Sequence, residues 1–118
     1  MMIFIIQYLI IINILINLQF YKLAQSYLVE TKWGNEGIIP TYDEYKANGL
    51  ISSTIPLSII SFVALGEFSN EELIDWFSSE PTIVNAVSAI GRLTDDVSSH
   101  KVLHNIFFVN LHFYVFMA

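Results

Sequence analysis

Residues 71–101 read EELIDWFSSEPTIVNAVSAIGRLTDDVSSHK, and they decide the fold class. Apolar side chains recur here at three- and four-residue steps, with no strict alternation to favour a strand. Ser69 and Glu72 have capping-box spacing, so a short helix is expected to carry Leu73, Ile74, Trp76 and Phe77. Pro81 suits the first position of the next helix, where its missing amide would be unpaired anyway. That helix aligns Ile83, Val87, Ile90, Thr94 and Val97 along one stripe, the expected buried face.

Working outward toward the N-terminus gives more of the same. Residues 20–33 (FYKLAQSYLVETKW) place Phe20, Leu23, Ala24, Tyr27, Leu28 and Trp33 at helical steps, which predicts an amphipathic helix ended by Gly34, Gly37 and Pro40. Thr41 and Glu44 form a capping box, so a second helix should run from Tyr42 past Ile51. Pro56 removes an amide donor and pushes Ile55 away from helical dihedrals, which predicts a break after residues 52–54. An apolar helix through Ile59, Ile60, Phe62, Val63 and Leu65 should follow, ended by Gly66. The chain reads as all-α.

Composition bounds the function. The 118 residues carry 5 Lys+Arg against 11 Asp+Glu, a net charge of −6. A chain that binds phosphate backbones needs a basic stripe, so nucleic acid is not an expected partner. There are no cysteines, which removes disulfides, thiolate metal sites and cysteine nucleophiles. Mean hydropathy is +0.56, high for a soluble domain. The apolar residues are concentrated at the ends: residues 1–21 and 102–118 hold no Asp, Glu, Lys or Arg. Residues 1–21 are long enough to cross a bilayer, since roughly 20 apolar residues suffice. One reading is thus a small single-span, membrane-anchored helical protein without catalysis. Such Ile-, Asn- and Phe-rich sequence is also what translated AT-rich non-coding DNA yields.

The chemistry-bearing residues lie on the last helix. At roughly 100° per residue, Ser99, Arg92 and Asp96 fall within about 100° of Asp95, in one quadrant. Carboxylate and hydroxyl oxygens are hard donors suited to Mg2+, which takes one or two protein carboxylates beside substrate phosphates. A guanidinium one turn away pairs well with a phosphate oxygen. Arg92, Asp95, Asp96 and Ser99 therefore have the makings of half a diphosphate–Mg2+ clamp. His100 and His104 have zinc-ligand spacing but no evident third ligand. Glu67, Glu71, Glu72 and Asp75 sit where a helix macrodipole favours acidic side chains.

The runs YLVETKW, IIPTYDEYKANGLISSTIPL, SFVALGE and the stretch 71–101, in this order and spacing, resemble the C-terminal metal-binding domain of plant terpene synthases of the sesquiterpene type. The resemblance covers residues 22–101, leaving 1–21 and 102–118 as apolar segments outside it. It implies a fragment of the class I terpene synthase helical bundle, built around an apolar pocket and preceded by an apolar N-terminal helix. It also implies Mg2+-dependent ionisation and cyclisation of a prenyl diphosphate such as farnesyl diphosphate, and a cytoplasmic location. Carried over residue by residue, Asp95 and Ser99 match the first two ligands of the family's second metal motif, and Asp96 lies beside them. Leu103 occupies the position of the third ligand, a glutamate in relatives. Arg92 matches an arginine that contacts the diphosphate. Ser52, Ser53 and Thr54 match the kinked-helix segment lining the active site, with Thr54 where a glycine is usual. Trp33 and Trp76 match family positions and are expected in the core. The family's aspartate-rich Asp-Asp-x-x-Asp motif is absent from the sequence. The resemblance thus implies an inactive fragment, a partial gene product with intron-like sequence translated on both flanks.

Overall fold

A computed structural model describes residues 1–66 and 70–117, with side chains described as far as residue 100 apart from Leu65. The described residues form five helices and no strand: α1 (Met2–Glu36), α2 (Tyr42–Ser52), α3 (Ile55–Leu65), α4 (Glu71–Ser78) and α5 (Thr82–Met117). The all-α expectation holds. Ser69 and Glu67, and the side chains of Leu103 and His104, lie outside the described residues.

Local chemistry sets most of the boundaries. Gly37 closes α1 in the left-handed conformation (φ 65°), and its amide donates to the Trp33 carbonyl. The Thr41–Glu44 box forms as expected: the Thr41 hydroxyl accepts from the Glu44 amide, and the Glu44 carboxylate accepts from the Thr41 amide at 2.8 Å. The Thr41 amide foremost, and the Thr41 hydroxyl donating to the same carboxylate oxygen at 2.8 Å, hold the Glu44 carboxyl below its usual range. The cap of α4 is Asn70, whose side chain accepts from the Leu73 amide, so α4 starts without needing the Ser69–Glu72 pair. Pro81 precedes α5 instead of occupying its first position, and its carbonyl accepts from the Val84 amide.

The break between α2 and α3 is made by Ser53 and Thr54. The Ser53 hydroxyl donates to the Leu50 carbonyl and accepts from the Ile55 amide. Thr54 takes φ 65°, the left-handed region that suits glycine. A β-branched residue there is strained. Pro56 then sits in the first turn of α3, where its lost amide costs nothing.

Packing reverses three expectations. α5 turns Val84 and Ser88 inward, while Ile83, Val87, Ile90, Thr94 and Val97, the expected buried stripe, are all exposed. Small inward residues are what allow close approach: a Cβ added at Gly91 would run into Ile55 of α3, and one added at Gly49 would meet the Arg92 stem at 3.0 Å. On α1, Phe20, Ala24, Tyr27 and Leu28 are exposed, and the inward line runs through Tyr8, Ile12, Leu15, Gln19, Leu23 and Ser26. Periodicity locates an apolar stripe but does not show which stripe a neighbour covers. Trp76 is likewise 40% exposed, because α4 buries Ile74 and Phe77 one turn apart instead. Trp33 is half-buried. The core is small: Ile60, Phe77 and Val84, flanked by Leu15, Ile16, Leu57 and Ile59.

α1 is long and apolar enough by composition to cross a membrane, and the N-terminal apolar helix is present as expected. The apolar stretch 42–64 passes the same test, but it is divided by the break at Ser53 and Thr54.

Two substitutions test this packing. Ile60→Ala removes the fully buried centre of the core and should cost about 2–5 kcal/mol in urea unfolding. Thr54→Gly relieves the left-handed backbone and should raise stability by about 1 kcal/mol. A loss of stability in Thr54→Gly would contradict the strained geometry.

Candidate diphosphate and metal site

α5 and α2 cross with Gly49 against the aliphatic stem of Arg92. That approach brings Tyr45, one turn earlier on α2, to Asp96, one turn later on α5. The Tyr45 hydroxyl donates to Asp96 Oδ2 in a short hydrogen bond. Arg92 donates from Nε to Asp96 Oδ1 at 2.9 Å and from Nη2 to the same oxygen at 2.5 Å. Nη2 also donates to Asp95 Oδ2 at 2.7 Å. Ser99 donates to the Asp95 backbone carbonyl at 2.7 Å, which fixes its hydroxyl on the same side of the helix.

The four expected residues are therefore together, but they are not equivalent. The side chains of Arg92 and Asp96 are 21% and 31% exposed, that of Asp95 63%. Partial burial opposes charge on the guanidinium, yet the Asp96 hydrogen bond and charge outweigh it, so its pKa is raised. Burial, then the Asp96 hydrogen bond and charge, push the Tyr45 phenol up to about 12. Tyr45 thus stays a neutral donor. It was not singled out from the sequence, since nothing in a local pattern joins positions 51 residues apart. The available signal was the Tyr45–Gly49 pair one turn apart, an aromatic donor beside a gap on one helix face.

The kink residues lie on the same α2–α5 seam, one α2 turn beyond Gly49 and beside Ile55, which meets Gly91. Ser52 is 3% exposed, and its hydroxyl has no hydrogen-bond partner among the described residues. A cleft of about 260 Å³ opens between helices, lined by Gln19, Lys22, Leu50, Ile51, Phe77 and Val84 among others. Its walls include none of Arg92, Asp95, Asp96 or Ser99. The recess that does touch Arg92, between Tyr45, Gly49 and Leu93, is about 10 Å³, smaller than a ligand needs. Neither of these two recesses is a ligand-sized apolar pocket beside the four side chains.

Hard oxygen donors on one face fit a divalent cation of the Mg2+ type only if a substrate supplies much of the coordination. Among the described residues no three acidic or histidine side chains converge on one point. Asp95 and Ser99 offer one outward carboxylate and one hydroxyl.

Comparison with known proteins bears on the family of the chain. The family described as "Terpene synthase family, metal binding domain" matches residues 7–106, which takes in 22–101 and reaches into both apolar flanks. The chain is 46% identical over 81 residues to "Probable terpene synthase 2" of Ricinus communis, covering 68% of this chain and 15% of that protein. It is 48% identical over 81 residues to "Beta-eudesmol synthase" of Zingiber zerumbet, with the same coverage. It is 43% identical over 84 residues to "(+)-delta-cadinene synthase isozyme XC1" of Gossypium arboreum, covering 70% of this chain and 15% of that protein. The chain spans about one seventh of the length of these relatives. No solved structure matches. A membrane-anchored protein unrelated to any enzyme is not favoured by these matches, since residues 7–21 of the apolar flank fall within the family profile. The all-helical architecture and the match over 100 residues agree, and the chain belongs to the terpene synthase family, in its metal-binding domain.

Proposed function

We propose that α5 carries part of a Mg2+–diphosphate site of the kind used to ionise a prenyl diphosphate such as farnesyl diphosphate, and that this chain alone is not a working enzyme. The observation that carries the reading is the half-buried Arg92 guanidinium with carboxylates on either side, at 2.5 Å and 2.7 Å. The Arg92–Asp96 pair is partly withdrawn from water, which is costly unless the pair serves a site or a tight structural joint, and Asp95 stands at its exposed edge.

In this reading Asp95 and Ser99 face the metal, and Asp96, expected beside them as a third metal group, is instead held by Arg92 and Tyr45. Arg92 binds a diphosphate oxygen through its planar donors. Mg2+, when bound, neutralises the leaving group and weakens its bond to carbon. The residues contribute binding and orientation. The segment Ser52, Ser53 and Thr54 contributes the kink on the same seam. Two features support inactivity of the chain alone: Leu103 replaces a glutamate ligand, and the sequence holds no Asp-Asp-x-x-Asp. The reading goes with a cytoplasmic location and does not call on the apolar α1 as an anchor.

Calorimetry with inorganic pyrophosphate tests it. Binding to the purified chain should require MgCl2 and should weaken about tenfold or more in Asp95→Ala and in Arg92→Ala, the loss of one charge-assisted contact. Equal binding without Mg2+, or by both variants, would contradict the site. Gas chromatography after incubation with farnesyl diphosphate should show no hydrocarbon product from the chain or from Leu103→Glu.

A further inference from the structure

The Asp96 carboxylate is engaged on both oxygens, Oδ1 by two donors of Arg92 and Oδ2 by Tyr45. Asp95 meets Arg92 through one donor and is about twice as exposed. The two adjacent aspartates therefore stand in different situations. One is locked into a joint between helices, and the other is held loosely at the surface.

We propose that Tyr45 is a positioning residue: through Asp96 it fixes the Arg92 guanidinium in the orientation that meets a diphosphate, and it leaves Asp95 as the exchangeable carboxylate. This rests on the diphosphate reading above for its purpose. A free arginine side chain explores many rotamers, and holding it before a ligand arrives lowers the entropy lost on binding. Asp96 alone would not do this. It lies on the same helix as Arg92, and a pair four residues apart on one helix adds little rigidity by itself. The Tyr45 hydroxyl anchors Asp96 to a second helix. Gly49 supports the arrangement, since a side chain there would displace the Arg92 stem. When Asp95 swings toward a cation, one Nη2 proton is released and becomes available to a phosphate oxygen, while Nε stays on Asp96.

The experiment exploits a feature of the sequence: Arg92 is its one arginine. The arginine Nε–H signal in a proton–nitrogen correlation spectrum therefore needs no assignment. Its solvent exchange is measured in the purified full chain and in Tyr45→Phe, Asp96→Asn and Asp95→Asn, with Tyr27→Phe on the exposed side of α1 as control. Exchange should speed up about tenfold or more in Tyr45→Phe and in Asp96→Asn, the loss of a hydrogen bond to a charged group. It should stay within about twofold of the parent in Asp95→Asn and Tyr27→Phe, which leave the Nε bond in place. Circular dichroism follows helix content in each. Unchanged exchange in Tyr45→Phe overturns the proposal. If Tyr45→Phe loses helix, the two aspartate variants decide, and equal effects from both overturn it. MgCl2 with inorganic pyrophosphate is then added. The parent signal should shift, with half-saturation about tenfold higher in Tyr45→Phe. Exchange that responds to Tyr45→Phe alongside a parent signal indifferent to pyrophosphate keeps the joint and overturns its purpose, together with the diphosphate reading.

Discussion

The joint formed by Tyr45, Asp96 and Arg92 ties α2 to α5, and the remaining arrangement follows from it. Charged groups withdrawn from water are tolerated when they are paired and hydrogen-bonded, and are destabilising when a partner is removed. Here the partners come from two helices, so the charges keep their mates only while α2 and α5 stay in register. Gly49 and Gly91 permit that register by leaving room for the Arg92 stem and for Ile55. The strained turn at Thr54 then redirects the chain so that α3 places Ile60 over Phe77 and Val84.

What this polar seam accomplishes is clearer against the weakness of the rest. Among the described residues five hydrophobic ones are buried, while many large apolar side chains on α1 and on the outer face of α5 are exposed. Three serines, Ser26, Ser52 and Ser88, are among the most buried residues. Ser26 and Ser88 satisfy their hydroxyls on backbone carbonyls three and four residues back. The five helices thus meet through small residues and hydrogen bonds as much as through hydrocarbon. A face built of small and polar residues leaves room for the paired charges of Arg92 and Asp96 at the α2–α5 seam.

Much of this was legible in the sequence because it depends on neighbours in the chain. The Thr41–Glu44 box, the break before Pro56, the stop at Gly66 and the gathering of Arg92, Asp95, Asp96 and Ser99 all rest on spacings of eight residues or fewer. What was not legible depends on which neighbours are present. The stripe Ile83–Val87–Ile90–Thr94–Val97 has the period of a buried face, yet it finds no partner among the described helices. Trp76 has the composition of a core residue, but α4 is short and its one inward face goes to Ile74 and Phe77. Tyr45 joined the site from another helix, a long-range relation with no periodic trace. The difference in standing between Asp95 and Asp96, identical in type and adjacent in sequence, likewise appears only when α2 is in place.

The central claim is that the Tyr45 hydroxyl and the Asp96 carboxylate stabilise the fold together and not separately. A double-mutant cycle by urea unfolding, with Tyr45→Phe, Asp96→Asn and the pair, measures that coupling directly. The account predicts an interaction energy of about 1 kcal/mol or more, since the bond involves a charged acceptor. Effects that add to within about 0.3 kcal/mol would show that the two residues do not act as one joint, and would contradict it.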